Sequence, residues 1–274
     1  MGRLGKQISL GQGWNRSLST VSEDPNVMHV IRLYQQDILT QLHLEEALFR
    51  GTRSNWLVIN DGVASPSIVL GISGKPEVMV YQEKAKTQGI PLIRRFSGGG
   101  TVVVDTDTIM MSIIVHGEHA LPHVERFPKP IMEWCESILS HNMKRLLGED
   151  FRLREHDFVV GDKKIGGNAQ AISGGRWLHH TSFLFDYQDT AMALLKHPPK
   201  TPTYRQQRDH NDFVTKIKTL CDDREGFVQG IIQSIELAGF QPIPVSSNHA
   251  IQSLLQAYKN QPNALLGSSM LTCN

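Results

Sequence analysis

Apolar residues recur with helical spacing in three long stretches of the chain. The first spans residues 35–50, the second follows Pro130, and the third spans residues 225–238. Gly51 and Gly239 follow the first and third stretches as stop signals. Apolar positions three or four residues apart lie on one side of a helix, so the pattern predicts three amphipathic helices.

Shorter apolar runs bounded by turn residues predict the strands of a sheet. These runs occupy residues 56–59, 67–71, 101–104, 109–115, 157–160, 164–170 and 182–186. Asn60–Gly62 is a turn signal between the first two runs, and Asp105–Asp107 is another between the third and fourth. Since apolar runs flank the second turn, we expect neighbouring strands with both faces covered.

The rest of the chain is less regular. Residues 77–89 and 250–258 predict two shorter helices, and the Pro-rich, polar residues 196–212 predict a surface loop. No internal repeat and no long polar linker requires a second domain. The elements together predict an α+β domain, a mixed sheet flanked by segregated helices.

Composition narrows the class of protein. The chain has 274 residues, of which 40% are hydrophobic and 20% are charged, with a net charge of +1. This balance favours neither a nucleic-acid partner nor a membrane surface, and no apolar run is long enough to span a membrane. Cys135, Cys221 and Cys273 show no metal or disulfide spacing, which is typical of a reducing compartment.

The N-terminus differs in composition from the rest. Residues 1–22 contain three basic residues and four serines, and the first acidic residue is Glu23. This composition predicts an organelle transit peptide, with a disordered tail as the alternative. The chain therefore divides into a transit peptide or tail (1–27), one folded domain (28–244) and a short C-terminal tail (245–274).

The stretch RRFSGGGTVVVD, Arg94–Asp105, holds two arginines, a serine and three consecutive glycines. Backbone N–H groups free of Cβ atoms can converge on a phosphate or carboxylate, and an arginine fork suits the same anions. The alternative is a glycine-rich connection between strands with solvated arginines. Spacing alone leaves both interpretations open.

Two further stretches contain residues with catalytic chemistry. Lys164 precedes Gly166 and Gly167, where a partly dry lysine would polarise a carbonyl or steady a phosphate. A hairpin turn with solvated lysines is the favoured alternative by itself. His179 and His180 would point to opposite sides of a strand, so only one of them can face a site.

In their order and residue identities these stretches resemble the lipoate–protein ligase A family, including its lipoyl and octanoyl transferases. The resemblance covers roughly residues 29–240. It rests on Arg94–Val102, Lys164–Gln170, His179–Leu184, Leu42–Leu48 and Pro66–Gly71.

This resemblance implies the catalytic-domain fold of biotin and lipoate protein ligases, a mixed β-sheet flanked by α-helices. It also implies a reaction that uses ATP and Mg²⁺ with lipoate, or lipoyl-AMP directly. The acyl group would be joined by an amide bond to a lysine of an apo lipoyl domain. The implied carriers are 2-oxoacid dehydrogenase E2 subunits and the glycine cleavage H protein.

Site residues are implied by the same matched segments. Lys164 would be catalytic, contacting the carboxyl or carbonyl oxygen and the α-phosphate. Arg95 would bind nucleotide phosphate with support from Arg94. The other nucleotide- and acyl-adenylate-binding positions would be Ser97, Gly98, Gly99, Gly100, Thr101, Val102, Val103 and Asp157. Asp157 would also hold Mg²⁺, and the lipoyl pocket would include Gly167, Ala169 and His180.

Departures from the family pattern affect these assignments. Val104 stands where the family usually has a histidine, and His156 replaces an asparagine beside Asp157. Residues 151–156 contain no cysteine, which disfavours a thioacyl-enzyme route. The glycine–arginine loop typical of biotin ligases is missing from the sequence, which makes biotin a poor candidate substrate.

Residues 245–274 are too few for the accessory domain of bacterial one-chain ligases, so we expect none here, with an accessory subunit as a further partner. Three functions remain open. They are an ATP-dependent lipoate or octanoate ligase, an ATP-independent lipoyl or octanoyl amidotransferase, and a non-catalytic lipoyl-binding accessory protein. The N-terminus favours mitochondria, with plastid or cytosol as alternatives.

Overall fold

The computed structural model describes residues 21–245, 248–260, 264 and 266–272. Of the predicted transit peptide or tail (1–27), residues 1–20 lie outside the described residues, and Val27 begins a strand. Within them, the strands are β1 (Val27–Gln36), β2 (Asn55–Val63), β3 (Ser67–Leu70), β4 (Leu92–Arg94), β5 (Val102–Val104), β6 (Thr108–Val115), β7 (Phe151–Arg154), β8 (Asp157–Val160), β9 (Lys163–Ser173), β10 (Arg176–Leu184), β11 (Gln241–Pro244) and β12 (Ser269–Leu271).

The helices lie between groups of these strands along the chain. They are α1 (Ile38–Gly51), α2 (Pro76–Met79), α3 (Gln82–Thr87), α4 (Gly117–Ala120), α5 (Pro128–Leu147), α6 (Asp189–Met192), α7 (His210–Phe213), α8 (Arg224–Leu237) and α9 (Asn248–Lys259). Short 3₁₀ turns occupy Thr203–Arg205 and Ile217–Thr219. None of the helices in the described part of the chain has the length and apolarity that a membrane crossing requires.

Two sheets organise the fold. The larger sheet has the strand order β11-β1-β2-β6-β10-β9-β8-β7, and the smaller has the order β12-β4-β3-β5. In the larger sheet β1 runs parallel to β11 and β2, and the other pairs are antiparallel. The sheet is therefore mixed, as predicted.

Helices cover both faces of the larger sheet. The apolar side of α5, including Ile131 and Cys135, packs with Phe227 and Ile231 of α8 against one face. Helices α1 and α9 cover part of the other face, and the smaller sheet covers the rest together with α1. Asp37 begins α1 by accepting a hydrogen bond from the Thr40 N–H. The predicted α+β architecture is confirmed.

Two turn predictions need correction. Asn60–Gly62 is not a turn, because β2 continues to Val63, with Gly62 at φ +86° inside the strand. Asn60 instead donates its side-chain amide to Gln36 O and Gln41 Oε1. The turn prediction was wrong because asparagine, aspartate and glycine usually mark turns and are uncommon inside strands.

The strands on either side of Asp105–Asp107 are present but are not neighbours. β5 pairs with β3 in the smaller sheet, whereas β6 lies between β2 and β10 in the larger one. Asp105 accepts hydrogen bonds from Asp107 N and Thr108 N, so its side chain stabilises a connection between sheets. Apolarity identified buried strands but could not identify their partners.

Other elements differ in extent. The predicted helix at residues 77–89 is two short helices, α2 and α3, separated by extended Val80, which bridges to Leu195. Strands β1, β4, β7, β11 and β12 were not predicted. The C-terminal tail is more ordered than expected, since α9 packs on α1 and β12 pairs with β4.

Candidate active site

The glycine loop connects β4 to β5 across the space between the two sheets. Arg95 N donates to Leu70 O, and Gly98 N donates to Gln170 O of β9 at 3.1 Å. Ser97 O accepts from Ile72 N. These backbone bonds attach the loop to both sheets, so the three glycines lie at the edge of the larger sheet.

The glycine at position 99 is required by its surroundings. Gly99 has φ +105°, and a Cβ there would lie 2.7 Å from Arg95 Nη2 and 2.9 Å from Ala169 Cβ. Gly100 is different, because a Cβ there would meet no atom within 4 Å. The loop is thus packed on one side and open to a cavity on the other.

Arg95 braces this loop from beneath. Its side chain is 3% exposed and donates from Nη2 to Gly98 O and Gly100 O, at 2.9 and 2.8 Å. Burial lowers the pKa of Arg95 to about 10, against the raising effect of Glu45. Arg94 similarly donates to Ile72 O and Gly74 O. The predicted phosphate role of Arg95 stays a prediction, because its hydrogen bonds in the structure go to backbone carbonyls of the loop and of β3.

A buried polar chain joins the loop to α1. Ser97 Oγ lies 2.9 Å from His180 Nε2, and His180 Nδ1 lies 3.1 Å from Glu45 Oε2. With Nδ1 donating to the carboxylate, Nε2 accepts from the serine hydroxyl. Glu45 Oε1 also accepts from Gln41 Nε2 and Ser112 Oγ, each at 2.7 Å. His180 is therefore held in one orientation.

The paired histidines point apart, as predicted. His180 lines the cavity, whereas His179 is wholly buried against the opposite face. Burial, with a smaller effect from His180, lowers the pKa of His179 to about 3. His179 Nδ1 lies 2.9 Å from Gln170 Nε2, which fits a neutral ring that accepts there. Of these two histidines, only His180 faces the cavity.

Lys164 is fixed by a carboxylate and a phenol. Its Nζ lies 2.8 Å from Asp157 Oδ1, and Tyr204 donates its hydroxyl to Asp157 Oδ2, also at 2.8 Å. The lysine side chain is 21% exposed and that of Asp157 only 8%. Burial, followed by the nearby Asp157 charge, raises the pKa of Tyr204 well above its ordinary value, so the phenol stays a donor.

These groups meet at a cavity of about 460 Å³. One part of its wall is apolar and is contributed by α1, β3, β5 and β6, through Ile38, Leu42, Val69, Val104 and Met110. The glycine loop, Lys164, Asp157 and His180 form a polar part of the same wall. The cavity can therefore hold a ligand with an apolar tail and a polar head.

Most of the predicted site residues line this cavity. They are Arg95, Gly98, Gly99, Gly100, Thr101, Val102, Asp157, Lys164, Gly167, Ala169 and His180. The others do not belong to that wall: Arg94 supports the loop after β3, Ser97 is buried against His180, and Val103 packs with Ile68 and Leu92 in the core. Val103 points away because strand neighbours alternate between faces.

Residues 196–212 were predicted to be a surface loop, but the segment 196–213 forms a wall of the cavity. Its lining residues include Lys196, Lys200, Arg205, His210 and Phe213. Tyr204 from the same segment reaches Asp157. The available signal was length, because irregular connections beyond about 12–15 residues usually have a function.

Three polar atoms of cavity-lining side chains are buried without a partner among the described residues. They are Thr101 Oγ1, Asn168 Nδ2 and Gln170 Oε1. Unpaired buried donors and acceptors are costly. A ligand or water with complementary groups would satisfy them.

The implied Mg²⁺ would need free oxygen ligands, and Asp157 was the residue predicted to supply one. Both oxygens of Asp157 already accept, one from Lys164 and one from Tyr204. The described part of the chain has no cluster of three or more His, Cys, Asp or Glu side chains suited to a metal ion. The residues present therefore do not fit a protein-held metal site.

The mixed sheet, the glycine loop between the sheets and the carboxylate-paired lysine define an α+β domain with a built ligand cavity. A family model for the lipoyl protein ligase A/B catalytic domain matches residues 37–238, and the chain belongs to this family. The family resemblance seen in the sequence is confirmed.

Two relatives illustrate the range within the family. The chain is 26% identical over 257 residues to "Inactive lipoate–protein ligase 2" of Plasmodium falciparum, covering 72% of this chain and 65% of the relative. It is 29% identical over 165 residues to the lipoate-protein ligase LplJ of Bacillus subtilis, covering 59% and 47%. The chain thus spans less than two thirds of either relative.

A solved structure shows the same fold. It is a putative lipoate protein ligase from T. acidophilum with bound lipoic acid, at 19% identity and a TM-score of 0.68. The match covers 84% of this chain and 93% of that one. The predicted ligase catalytic-domain fold is confirmed.

Proposed function

We propose that this protein attaches a lipoyl or octanoyl group, in amide linkage, to a specific lysine of lipoyl carrier domains. The carriers would be apo E2 subunits of 2-oxoacid dehydrogenases and the H protein of glycine cleavage. The observation that carries the proposal is Lys164, which is paired with Asp157 in the wall of a cavity that also has an apolar part.

The apolar part of the cavity suits the acyl tail. Its lining residues are branched or flexible hydrocarbons without charge. Each methylene group that such a tail buries contributes roughly 0.8 kcal/mol. A medium-length acyl chain would therefore bind here mainly by burial, with its carboxyl end toward the polar wall.

The polar part suits acyl transfer from an activated donor. A free carboxylate is a poor electrophile, so ATP would first convert it to an acyl-adenylate with release of pyrophosphate. The carrier lysine amine would then attack the carbonyl carbon, forming the amide while AMP leaves and the amine loses a proton. Lys164 would stabilise the oxygen that gains negative charge during attack.

Lys164→Ala tests this mechanism, with Lys163→Ala as a matched control. Lys163 is the neighbouring lysine, is not in the cavity wall, and bonds the Asp212 carbonyl. With lipoate, MgATP and an apo carrier domain, mass spectrometry should show one added acyl group. We expect the Lys164 variant to lose about 100-fold or more in rate and the Lys163 variant to stay near wild type. Equal rates for wild type and Lys164→Ala would disprove the mechanism.

The second candidate is an ATP-independent amidotransferase. It is favoured by Asp157, whose oxygens are taken by Lys164 and Tyr204 rather than left for a nucleotide-bound metal. Three donors separate the two: lipoate with MgATP, lipoyl-AMP, and an octanoylated carrier protein. A carrier mass shift with the last two donors but not the first would retain the transferase and exclude the ligase.

The third candidate is a non-catalytic lipoyl-binding protein. One relative is named inactive, and Val104 stands where the family usually has a histidine. Binding of lipoate without transfer from any of the three donors would support this candidate.

We also propose a mitochondrial location, since the acid-free, basic N-terminus is typical of a transit peptide. A fusion of residues 1–30 to a fluorescent protein should mark mitochondria. A plastid or diffuse cytosolic signal would support one of the alternatives.

A further inference from the structure

Arg205 is a buried cation in the cavity wall to which no role was assigned. It closes the 3₁₀ turn Thr203–Arg205 and is 4% exposed. It lines the same cavity as Lys164 and the glycine loop. A guanidinium that is buried this deeply normally has hydrogen-bond acceptors for its terminal nitrogens.

The fork of Arg205 is not satisfied by the protein. Its Nε donates to Arg208 O at 3.0 Å. Across the described part of the chain, its two terminal nitrogens form neither a hydrogen bond nor an ion pair. Arg95, the other buried arginine of the cavity, uses its terminal nitrogens on the carbonyls of Val69, Gly98 and Gly100.

The orientation of this fork is set by packing. Arg205 Cζ lies 5.0 Å from the centroid of the Phe213 ring, and Arg208 Cζ lies 5.5 Å from the same centroid. Tyr204 packs on Phe213 with the ring centroids 5.1 Å apart. Stacking fixes the guanidinium before any ligand arrives, so little entropy is lost on binding.

The surroundings of the fork are positive. Asp209 and Asp157 act on Arg205 only at a distance, and burial outweighs them, lowering the pKa of Arg205. Burial, then the charges of Arg205 and Lys164, lowers the pKa of His210 to about 4. Besides Arg205, the described part of the cavity wall holds Arg95, Lys164, Lys196 and Lys200, against one carboxylate, Asp157, which is paired with Lys164. This excess of positive charge beside a neutral histidine favours an anion at neutral pH.

We propose that Arg205 binds the phosphate of a nucleotide in this cavity through its two terminal nitrogens. The proposal rests on the proposed function in its acyl-adenylate form. A planar fork matches two phosphate oxygens. The apolar cluster that suits the acyl tail comes from α1, β3, β5 and β6, whereas Arg205 lies in the segment 196–213.

Calorimetric titration with AMP, adenosine and octanoate tests this assignment. We expect Arg205→Gln to weaken AMP binding about 10- to 100-fold, the range for a charge-assisted hydrogen bond. Adenosine and octanoate should bind as to wild type. Arg205→Lys keeps the charge without the fork and should give an intermediate loss. Arg126→Gln, an exposed arginine outside the cavity, is the control and should change nothing.

Stability gives a second measurement. If Arg205 mainly supports the fold, its removal should lower stability strongly, as does the loss of a buried hydrogen-bond network. Arg205→Gln loses only the Nε bond to Arg208 O and the packing on Phe213, so its melting temperature should fall by no more than about 4 °C. If that variant does not fold, Arg205→Lys decides the binding question alone.

Several outcomes overturn the assignment. They are equal AMP affinities for wild type and Arg205→Gln, no AMP binding by the wild type, and a loss of affinity for octanoate alone. Failure of this assignment can be distinguished from failure of the proposed function. Arg205-dependent AMP binding without carrier modification would keep the phosphate ligand and remove the acyl transfer. Carrier modification by a protein that binds no AMP would do the reverse.

Discussion

Gly99 and Gly100 are adjacent in the sequence but meet different surroundings. Gly99 needs both its positive φ and its missing Cβ, because Arg95 and Ala169 occupy the space. Gly100 faces open space in the cavity wall. One glycine therefore serves the fold, and the other leaves room for a ligand.

We expect Gly99→Ala to destabilise the protein by about 2–4 kcal/mol, from backbone strain and overpacking together. Gly100→Ala is the matched control and should change the free energy of unfolding by less than about 1 kcal/mol. Urea unfolding at pH 7 measures both. Similar losses for the two variants would contradict the different surroundings.

Tyr204 acts on Lys164 through Asp157, so its hydroxyl is a positioning group. Tyr204→Phe keeps the ring on Phe213 and removes one hydrogen bond of roughly 1.5–3 kcal/mol to a charged partner. We expect kcat for carrier modification to fall about 3- to 30-fold with KM for the acyl donor unchanged.

A double-mutant cycle with Asp157→Asn checks the route of this effect. If Tyr204 works through the carboxylate, the double variant should be no slower than Asp157→Asn alone. Additive losses would show that the phenol acts elsewhere.

At the scale of elements, the C-terminal segment is tied to α1 by the buried Glu46 and by His43, whose Nε2 lies 2.9 Å from Ser268 O. Glu46 Oε2 accepts from Gly267 N at 2.8 Å, and its Oε1 accepts from Arg50 Nε, also at 2.8 Å. Ser268 Oγ accepts from Phe96 N just before the glycine loop. Strand β12 then extends the smaller sheet beside β4.

Glu46→Gln should loosen this attachment, since it removes the charge that strengthens both hydrogen bonds. We expect backbone amide exchange of residues 269–271 to speed up by about tenfold or more, equivalent to about 1.4 kcal/mol. Glu136→Gln is a matched control, because Glu136 also accepts from a backbone N–H, that of Leu153. Exchange at residues 269–271 that stays unchanged in Glu46→Gln would argue against the attachment.

At the scale of the whole molecule, acid sensitivity should come partly from His179. Its pKa is lowered to about 3 by burial, against about 6.5 when unfolded. Between these values the unfolded chain binds a proton that the native state does not, so stability present above pH 6.5 is lost as pH falls. From pH 7 to pH 4 this residue accounts for about 3 kcal/mol.

His179→Gln should flatten this dependence. Unfolding free energies at pH 7, 5.5 and 4 would show a smaller loss on acidification than in wild type, because carboxylates titrate equally in both proteins. His141→Gln, a change at an exposed histidine, is the control and should leave the wild-type slope. Equal slopes for all three proteins would contradict the assignment.

Much of the fold was readable from spacing. Helices α1, α5 and α8 follow from apolar residues at helical intervals. The ends of α1 and α8 follow from Gly51 and Gly239. Strand partners were not readable, because β5 and β6 are equally apolar whether they pair with each other or with strands of separate sheets. The short edge strands β7, β11 and β12 carry too few apolar residues to stand out.

The candidate site divides in the same way. The glycine loop, Lys164 and His180 were visible because unusual residues lie close together in sequence. Arg205, Tyr204 and Glu45 were not singled out, since each gains its meaning from a partner on another element. For Arg95 the sequence predicted a contact with a ligand phosphate. In the structure its side chain donates to backbone carbonyls instead.

The sequence by itself determined the three long helices, most of the buried strands and the family, because these depend on local spacing and on short runs of residues. The tertiary structure alone decided which side chains share the cavity and which of its cations is left unpaired. The physical reason is that pairing across elements is fixed by burial and sheet register, which bring Asp157, Lys164 and Tyr204 together from separate parts of the chain.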